Sequence, residues 1–326
     1  MTMQPERFRI SMGKRGAGIA AALASAVFLG FTPVFGKLAI NLGISPLGVV
    51  AWRTALAALL LLAAVALFYR PFLYIFPAAF YAVVLAGIIN GAGSLCYYLA
   101  LDHLNAGVGQ MVYSLYPFFL AVWLALDGQP LGLLTLGRML IAALGVALLT
   151  ALQPGGANLT GILLMLGAAA LYALHLPINQ RVLYEVPAPT VTVYTLLAMS
   201  AVVVPVYIIF DPERSMAVGG SLPVLGLTLV TTLSRLALFF GVKRIGGMQT
   251  ALLGLAELLI AVLLSRIWLH ESLAALQWVG ALALVVSLVL VRYERPQPRP
   301  LPERGGWLAW IRPPPMPRDA PWGPHE

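Results

Sequence analysis

Charge is scarce in this chain: 10% of its 326 residues are Asp, Glu, Lys or Arg, while 60% are hydrophobic. A soluble globular chain carries about a quarter charged residues. A water-soluble fold of this length has too little polar surface to cover so much apolar side chain, which excludes a soluble enzyme or scaffold. Acidic residues are the scarcest, 12 against 20 Lys and Arg, for a formal net charge of +8. The excess is dispersed at segment ends and does not cluster on one module, which argues against a nucleic-acid partner. Cysteine occurs once, at Cys96, so no intrachain disulfide forms. There is no His/Cys/Asp cluster at metal-ligand spacing, no Gly-x-Ser-x-Gly and no Walker loop. The expectation is therefore no metal, no cofactor, no catalytic residues and no enzyme.

What is abundant is long apolar sequence, with a mean hydropathy of +0.90. At roughly 20 apolar residues per crossing, runs bounded by Gly, Pro, Asn and charges predict ten helices near 16–40, 47–69, 78–101, 106–126, 132–152, 159–180, 189–210, 220–242, 248–269 and 274–292. Cations accumulate on the cytoplasmic side of a membrane protein. With the N-terminus inside, only Lys37, Arg214 and Arg266 fall outside and Arg53 and Arg235 lie within spans; all other Lys and Arg face the cytoplasm. The prediction is an all-α, multi-pass protein of the plasma or bacterial inner membrane with both termini cytoplasmic. Arg7, Arg9, Lys14 and Arg15 before an apolar stretch mimic a signal sequence, and Ala24-Ser25-Ala26 mimics a cleavage site. The apolar run continues past that tripeptide, so it reads as an uncleaved first span after a basic stretch, 1–15. From Glu294 the chain turns charged and Pro-rich, a composition that favours a solvated, disordered cytoplasmic tail over 294–326.

An internal repeat organises the spans. Thr32-Pro33-Val34-Phe35-Gly36-Lys37 matches Leu176-Pro177-Ile178-Asn179-Gln180-Arg181 at a displacement of 144, and Ser45-Pro46 is echoed by Ala188-Pro189. Ala100-Leu101-Asp102-His103-Leu104-Asn105-Ala106 corresponds to Gly241-Val242-Lys243-Arg244-Ile245-Gly246-Gly247 at 141. Two five-helix repeats result, 16–152 and 159–293. Five is odd, so the second copy enters the membrane from the opposite side. Inverted repeats are a recurring plan in secondary transporters, with the substrate near the midplane between repeats and Pro- or Gly-interrupted helices as pointers to it. Here those pointers are Pro33 and Pro177, candidates for gating.

Polar side chains within spans are costly and tend to face a cavity. Thr228, Thr231, Thr232 and Arg235 recur at i, i+3, i+4 and i+7, one helical stripe. Asn90, Ser94, Tyr97 and Tyr98 form another, as do Gln110, Tyr113, Ser114 and Pro117; Tyr172, His175 and Asn179; and Gln249, Thr250 and Glu257. The candidate substrate-binding set is Arg235, Glu257, His175, Asn90, Tyr97, Gln110, Tyr113 and Thr231. Glu257, the one acid at mid-span, pairs with Arg235 as a brace or anchors a charged substrate or coupling proton. His175 titrates near neutral pH in water and is a second coupling candidate. Arg53 either snorkels to the outer surface or faces the cavity. Gly87 and Gly91, a Gly-x-x-x-Gly pair, suit close helix packing.

In this order of features the chain resembles the EamA-type branch of the drug/metabolite transporter superfamily. The resemblance rests on the Pro33/Gly36/Lys37 helix, Ser45-Pro46 followed by Arg53, the 100–106 segment, Pro117, Glu257, His270-Glu271-Ser272-Leu273 and Gly280. Gln129 stands at or beside the family's glutamate, and Leu258 replaces the proline usual after the glutamate of span nine. What the resemblance implies is export or exchange of small metabolites such as amino acids or drug-like compounds by alternating access. The partners expected are a small-molecule substrate, protons as an open option, the lipid bilayer, and, as a further open option, a second copy in a homodimer. An importer or uncoupled facilitator is the nearest alternative; a channel or membrane-embedded enzyme is remote.

Overall fold

The computed structural model describes residues 5–104, 106–128, 132–150, 158–211, 221–260 and 275–293, and among these the chain is helical with no strand. The sequence-predicted segment 270–273, Gln129, Arg214, Arg266 and the tail lie outside the described residues. The first half contains α1 (Pro5–Gly30), α2 (Thr32–Asn41), α3 (Pro46–Phe68), α4 (Pro77–His103), α5 (Ala106–Tyr113), α6 (Tyr116–Leu126) and α7 (Leu133–Thr150). The second contains α8 (Leu159–Leu183), α9 (Ala188–Phe210), α10 (Ser221–Ile245), α11 (Gly247–Gly254), further helical residues to Ile260, and α12 (Ala275–Val289). Among the described residues six stretches are long and apolar enough to cross a membrane: Arg15–Asn41, Pro46–Phe68, Pro77–His103, Leu159–Leu183, Ala188–Phe210 and Leu222–Ile245. Shorter apolar helices accompany them at Tyr116–Leu126, Leu133–Gly145, Gly247–Ile260 and Trp278–Ser287.

Helix starts follow local chemistry. Ser45 caps α3, its Oγ accepting from Gly48 N at 2.9 Å with Pro46 behind it, and Asn158 caps α8 through Thr160 N at 2.9 Å; both satisfy an otherwise orphaned donor. Gly246 takes φ of 86°, a left-handed turn that leads from α10 straight into α11.

Three predicted single spans are interrupted instead. Helix breaks fall at Phe31, at Ser114-Leu115 and at Leu255. The last two share one hydrogen-bond pattern. Leu115 N donates to Val112 O and Phe118 N to Leu115 O, as Leu255 N does to Leu252 O and Leu258 N to Leu255 O. These are tight i to i−3 turns at equivalent places in the two halves. α8 stays continuous around Pro177, so a proline in both copies does not interrupt both.

Helix neighbours also come in exchanged pairs. α4 packs on α8, and their counterparts α10 and α1 pack on each other; α4 on α9 mirrors α10 on α3; α5 on α8 mirrors α11 on α1; and α7 with α12, and α3 with α9, pair each helix with its own counterpart. Small residues permit these approaches. A Cβ added at Gly87 would stand 2.5 Å from Ala198 Cβ and 2.8 Å from Thr195 O of α9, and one at Gly91 would meet Met199 and Val202. The molecule is inside-out by soluble standards. Leu59, Phe68, Leu133 and Leu140 are exposed, while Arg53, Asn90, Arg138, His175, Arg235 and Glu257 are buried, as expected where lipid is the solvent.

Candidate functional site

A cavity lies where helices from both halves meet, bounded by Leu29, Arg53, Asn90, Tyr113, Arg235 and Glu257 together with Thr32, Gly93, Ser94, Tyr97, Tyr98, Ala168 and Tyr172. About 40 Å³ of it is open to the centres of water molecules, room for about three. α4 contributes its whole polar stripe because Asn90, Ser94 and Tyr97 recur at helical spacing; α8 contributes Ala168 and Tyr172, and α10 contributes Arg235. The three interrupted spans bring Leu29 and Thr32, Tyr113, and Glu257.

Arg53 is 6% exposed and, rather than snorkelling, turns inward. Its Nη1 donates to Thr231 Oγ1 at 3.0 Å and its Nη2 to Ser94 Oγ at 3.3 Å, with the guanidinium 4.9 Å above the Tyr98 ring centroid. Arg235 faces Asn90 and His175. With the Asn90 amide turned so that oxygen meets the guanidinium, that oxygen accepts from Nη1 at 2.7 Å and Nη2 at 3.2 Å. Arg235 Nη1 also approaches His175 Nε2 at 3.4 Å, and its guanidinium lies 5.6 Å from the Tyr172 centroid. A ring nitrogen facing guanidinium donors presents its lone pair, which leaves His175 Nδ1–H to donate to the Tyr172 carbonyl.

Glu257 belongs to a different chain of bonds. Its Oε1 accepts from Gln110 Nε2 at 2.8 Å, and Gln110 Oε1 accepts from Tyr97 Oη at 3.2 Å. No ion pair joins Glu257 to Arg235 among the described residues, so the brace envisaged between them is not formed. Around the carboxylate, Tyr97, Tyr113, Tyr116 and Tyr172 form a continuous aromatic wall with centroids 5.0–5.7 Å apart, spacings typical of edge and tilted ring contacts.

The structure thus gathers Arg53, Asn90, Tyr97, Tyr113, Arg235 and Glu257 on the cavity surface. Gln110, Thr231 and His175 stand one hydrogen bond behind it. Pro33, near the start of α2, and Pro177, inside α8, do not line it. Sequence reasoning missed Leu29, Gly93 and Ala168 as walls, since an apolar or small residue in an apolar helix carries no polar signal. No group of three or more His, Cys, Asp or Glu placed to hold a metal occurs among the described residues.

A model of EamA-like transporters matches this chain twice, over residues 16–151 and 159–293. The chain belongs to the EamA-like transporter family. A Synechocystis protein named as an uncharacterized transporter is 26% identical to this EamA-like chain over 218 residues, 62% of the chain and 63% of the relative; the match spans less than two thirds of that relative's length. A solved crystal structure of a protein 17% identical to it superposes with a TM-score of 0.71 over 86% of this chain and 99% of the other. That likeness shows a common fold. With its membrane-length helices, this member of the EamA-like transporter family is a multi-pass membrane protein.

Proposed function

We propose that the chain is a secondary transporter of small metabolites, an exporter or exchanger of the plasma or inner membrane, working by alternating access about the cavity of Arg53, Arg235 and Glu257. In this reading ten helices cross the membrane as two inverted five-helix repeats, 16–152 and 159–293, with both termini cytoplasmic. The carrying observation is the cavity itself. Three charged side chains and four tyrosines converge at the junction of helices from both halves, where each polar group is costly unless it serves the cargo. The exchanged neighbour pairs support a pseudo-twofold arrangement in which one half rocks on the other.

Glu257, held by Gln110, and His175, behind Arg235, are the groups available to a coupling proton. The test is a metabolite-export screen followed by counterflow in proteoliposomes, with and without a proton gradient. Arg235→Ala and Glu257→Ala should each abolish substrate-specific flux. Wild-type flux in both variants would remove the cavity from the mechanism, flux indifferent to the gradient would assign an uncoupled facilitator, and single-channel currents would overturn the carrier reading.

A further inference from the structure

The two arginines are placed as a pair. Arg53 donates to Thr231 and Ser94, while Arg235 bonds Asn90. Asn90 and Ser94 are four residues apart on α4, and Thr231 and Arg235 are four apart on α10. The two guanidiniums are therefore offset by one helical turn, about 6 Å along the axis. At the displacement of 141 relating Leu101 to Val242, Asn90 corresponds to Thr231 and Ser94 to Arg235. Equivalent turns of the two halves thus face each other across the cavity, with one arginine supplied by the first half and one by the second.

Their partners leave this charge uncompensated. Thr231, Ser94 and Asn90 are neutral, His175 offers a lone pair, and Tyr98 and Tyr172 offer ring faces. Glu257 lines the same cavity but bonds neither arginine, one of its oxygens accepting from Gln110. Two buried cations against one anion is an expensive arrangement unless a further anion completes it. Guanidinium forks match carboxylate geometry, and both arginines line one cavity together with Tyr97 and Tyr113.

We propose that Arg53 and Arg235 form a clamp for a single carboxylate of the cargo, so that the transporter takes small compounds of net charge −1 whose apolar or aromatic bodies lie against Tyr97 and Tyr113. The inference deepens the transport reading and rests on it. Because the anion bridges the halves, cargo binding itself ties them together.

The test uses the purified full chain in detergent and reads ligand-induced shifts of each protein's own unfolding midpoint. Acetate, propionate, benzoate and phenylacetate are compared with benzamide and benzylamine. The expected result is a saturable rise with at least one monocarboxylate, none with benzamide or benzylamine, and an apparent Kd at least about tenfold weaker in Arg53→Gln and in Arg235→Gln. Lys variants at both positions keep the charge without the fork and should fall between. If benzylamine shifts the wild type while no carboxylate does, if no compound shifts it, or if the Gln variants bind as tightly as wild type, the clamp is overturned. Counterflow with the same compounds separates the two ideas. A carboxylate that binds but is never carried sinks the transport reading and leaves the clamp, and a carried amine without carboxylate binding does the reverse.

Discussion

Glu257 is the residue whose surroundings are most specific. A carboxylate accepting from Gln110 at 2.8 Å, with Tyr97 donating to the same amide, is held in one orientation, and hydrogen bonds to charged groups are worth about 1.5–3 kcal/mol. Glu257→Gln preserves shape and removes the charge, so it should leave the unfolding midpoint within a few degrees of wild type while lowering counterflow tenfold or more. Wild-type flux with unchanged gradient dependence would show that neither cargo nor proton uses this carboxylate. At this scale the sequence was legible wherever a polar side chain interrupts an apolar helix, because hydrocarbon makes such residues conspicuous. Asn90, Gln110, Arg235 and Glu257 were visible for that reason. The bonds between them were not. Arg53 to Ser94 spans 41 positions and Gln110 to Glu257 spans 147, separations that no helical period encodes. Leu29, Gly93 and Ala168 were invisible for the opposite reason, being ordinary residues of apolar helices.

Among elements, α4 packs closely on α9, and helix glycines divide by what surrounds them. At Gly87 a methyl would press on Thr195 backbone oxygen at 2.8 Å, and backbone of a packed helix does not yield cheaply; overpacking of this kind costs about 1–3 kcal/mol. Gly167 in α8 has nothing within 4 Å of an added Cβ, and glycine in a helix interior is about 0.8–1 kcal/mol worse than alanine. Thermal unfolding in detergent should therefore show Gly87→Ala lowered by several degrees and Gly167→Ala unchanged or raised. Equal losses at both positions would mean that α4 and α9 are not in the close contact described. Helix existence was readable from hydropathy, and most boundaries fall within a few residues of the expectation. The break at Phe31 was signalled by Pro33, whereas those at Leu115 and Leu255 were not readable, because an apolar run stays apolar across a tight turn. Pro33 and Pro117 stand just after two of them, but Leu258 occupies the matching place after the third, which leaves no proline to mark it.

For the whole molecule, the repeat displacements of 144 and 141 were enough to anticipate equivalent halves, yet the contacts between the halves at each end needed the fold. At one end Arg181 of α8, in the second half, pairs with Asp127 after α6, in the first, at 2.6 Å. At the other, Ser45 of the first half hydrogen-bonds Asp211 of the second. If the halves rock, these two contacts hold opposite closures, and loosening one should expose the cavity from that side. The Asp127 side chain is wholly buried and that of Arg181 is 12% exposed, so the pair is weakly screened, and a change of about 1–2 kcal/mol in closure alters the ratio of two states about 5- to 30-fold. The check is thiol labelling of a Thr32→Cys reporter on the cavity wall, in a Cys96→Ser background, with an impermeant reagent added from one side of the membrane at a time. Arg181→Gln should raise labelling from the side bearing Arg181 and lower it from the other; Asp211→Ala should do the opposite. Changes of the same sign from both sides would indicate a loosened protein rather than a rocking one, and alternating access about this cavity would have to be given up.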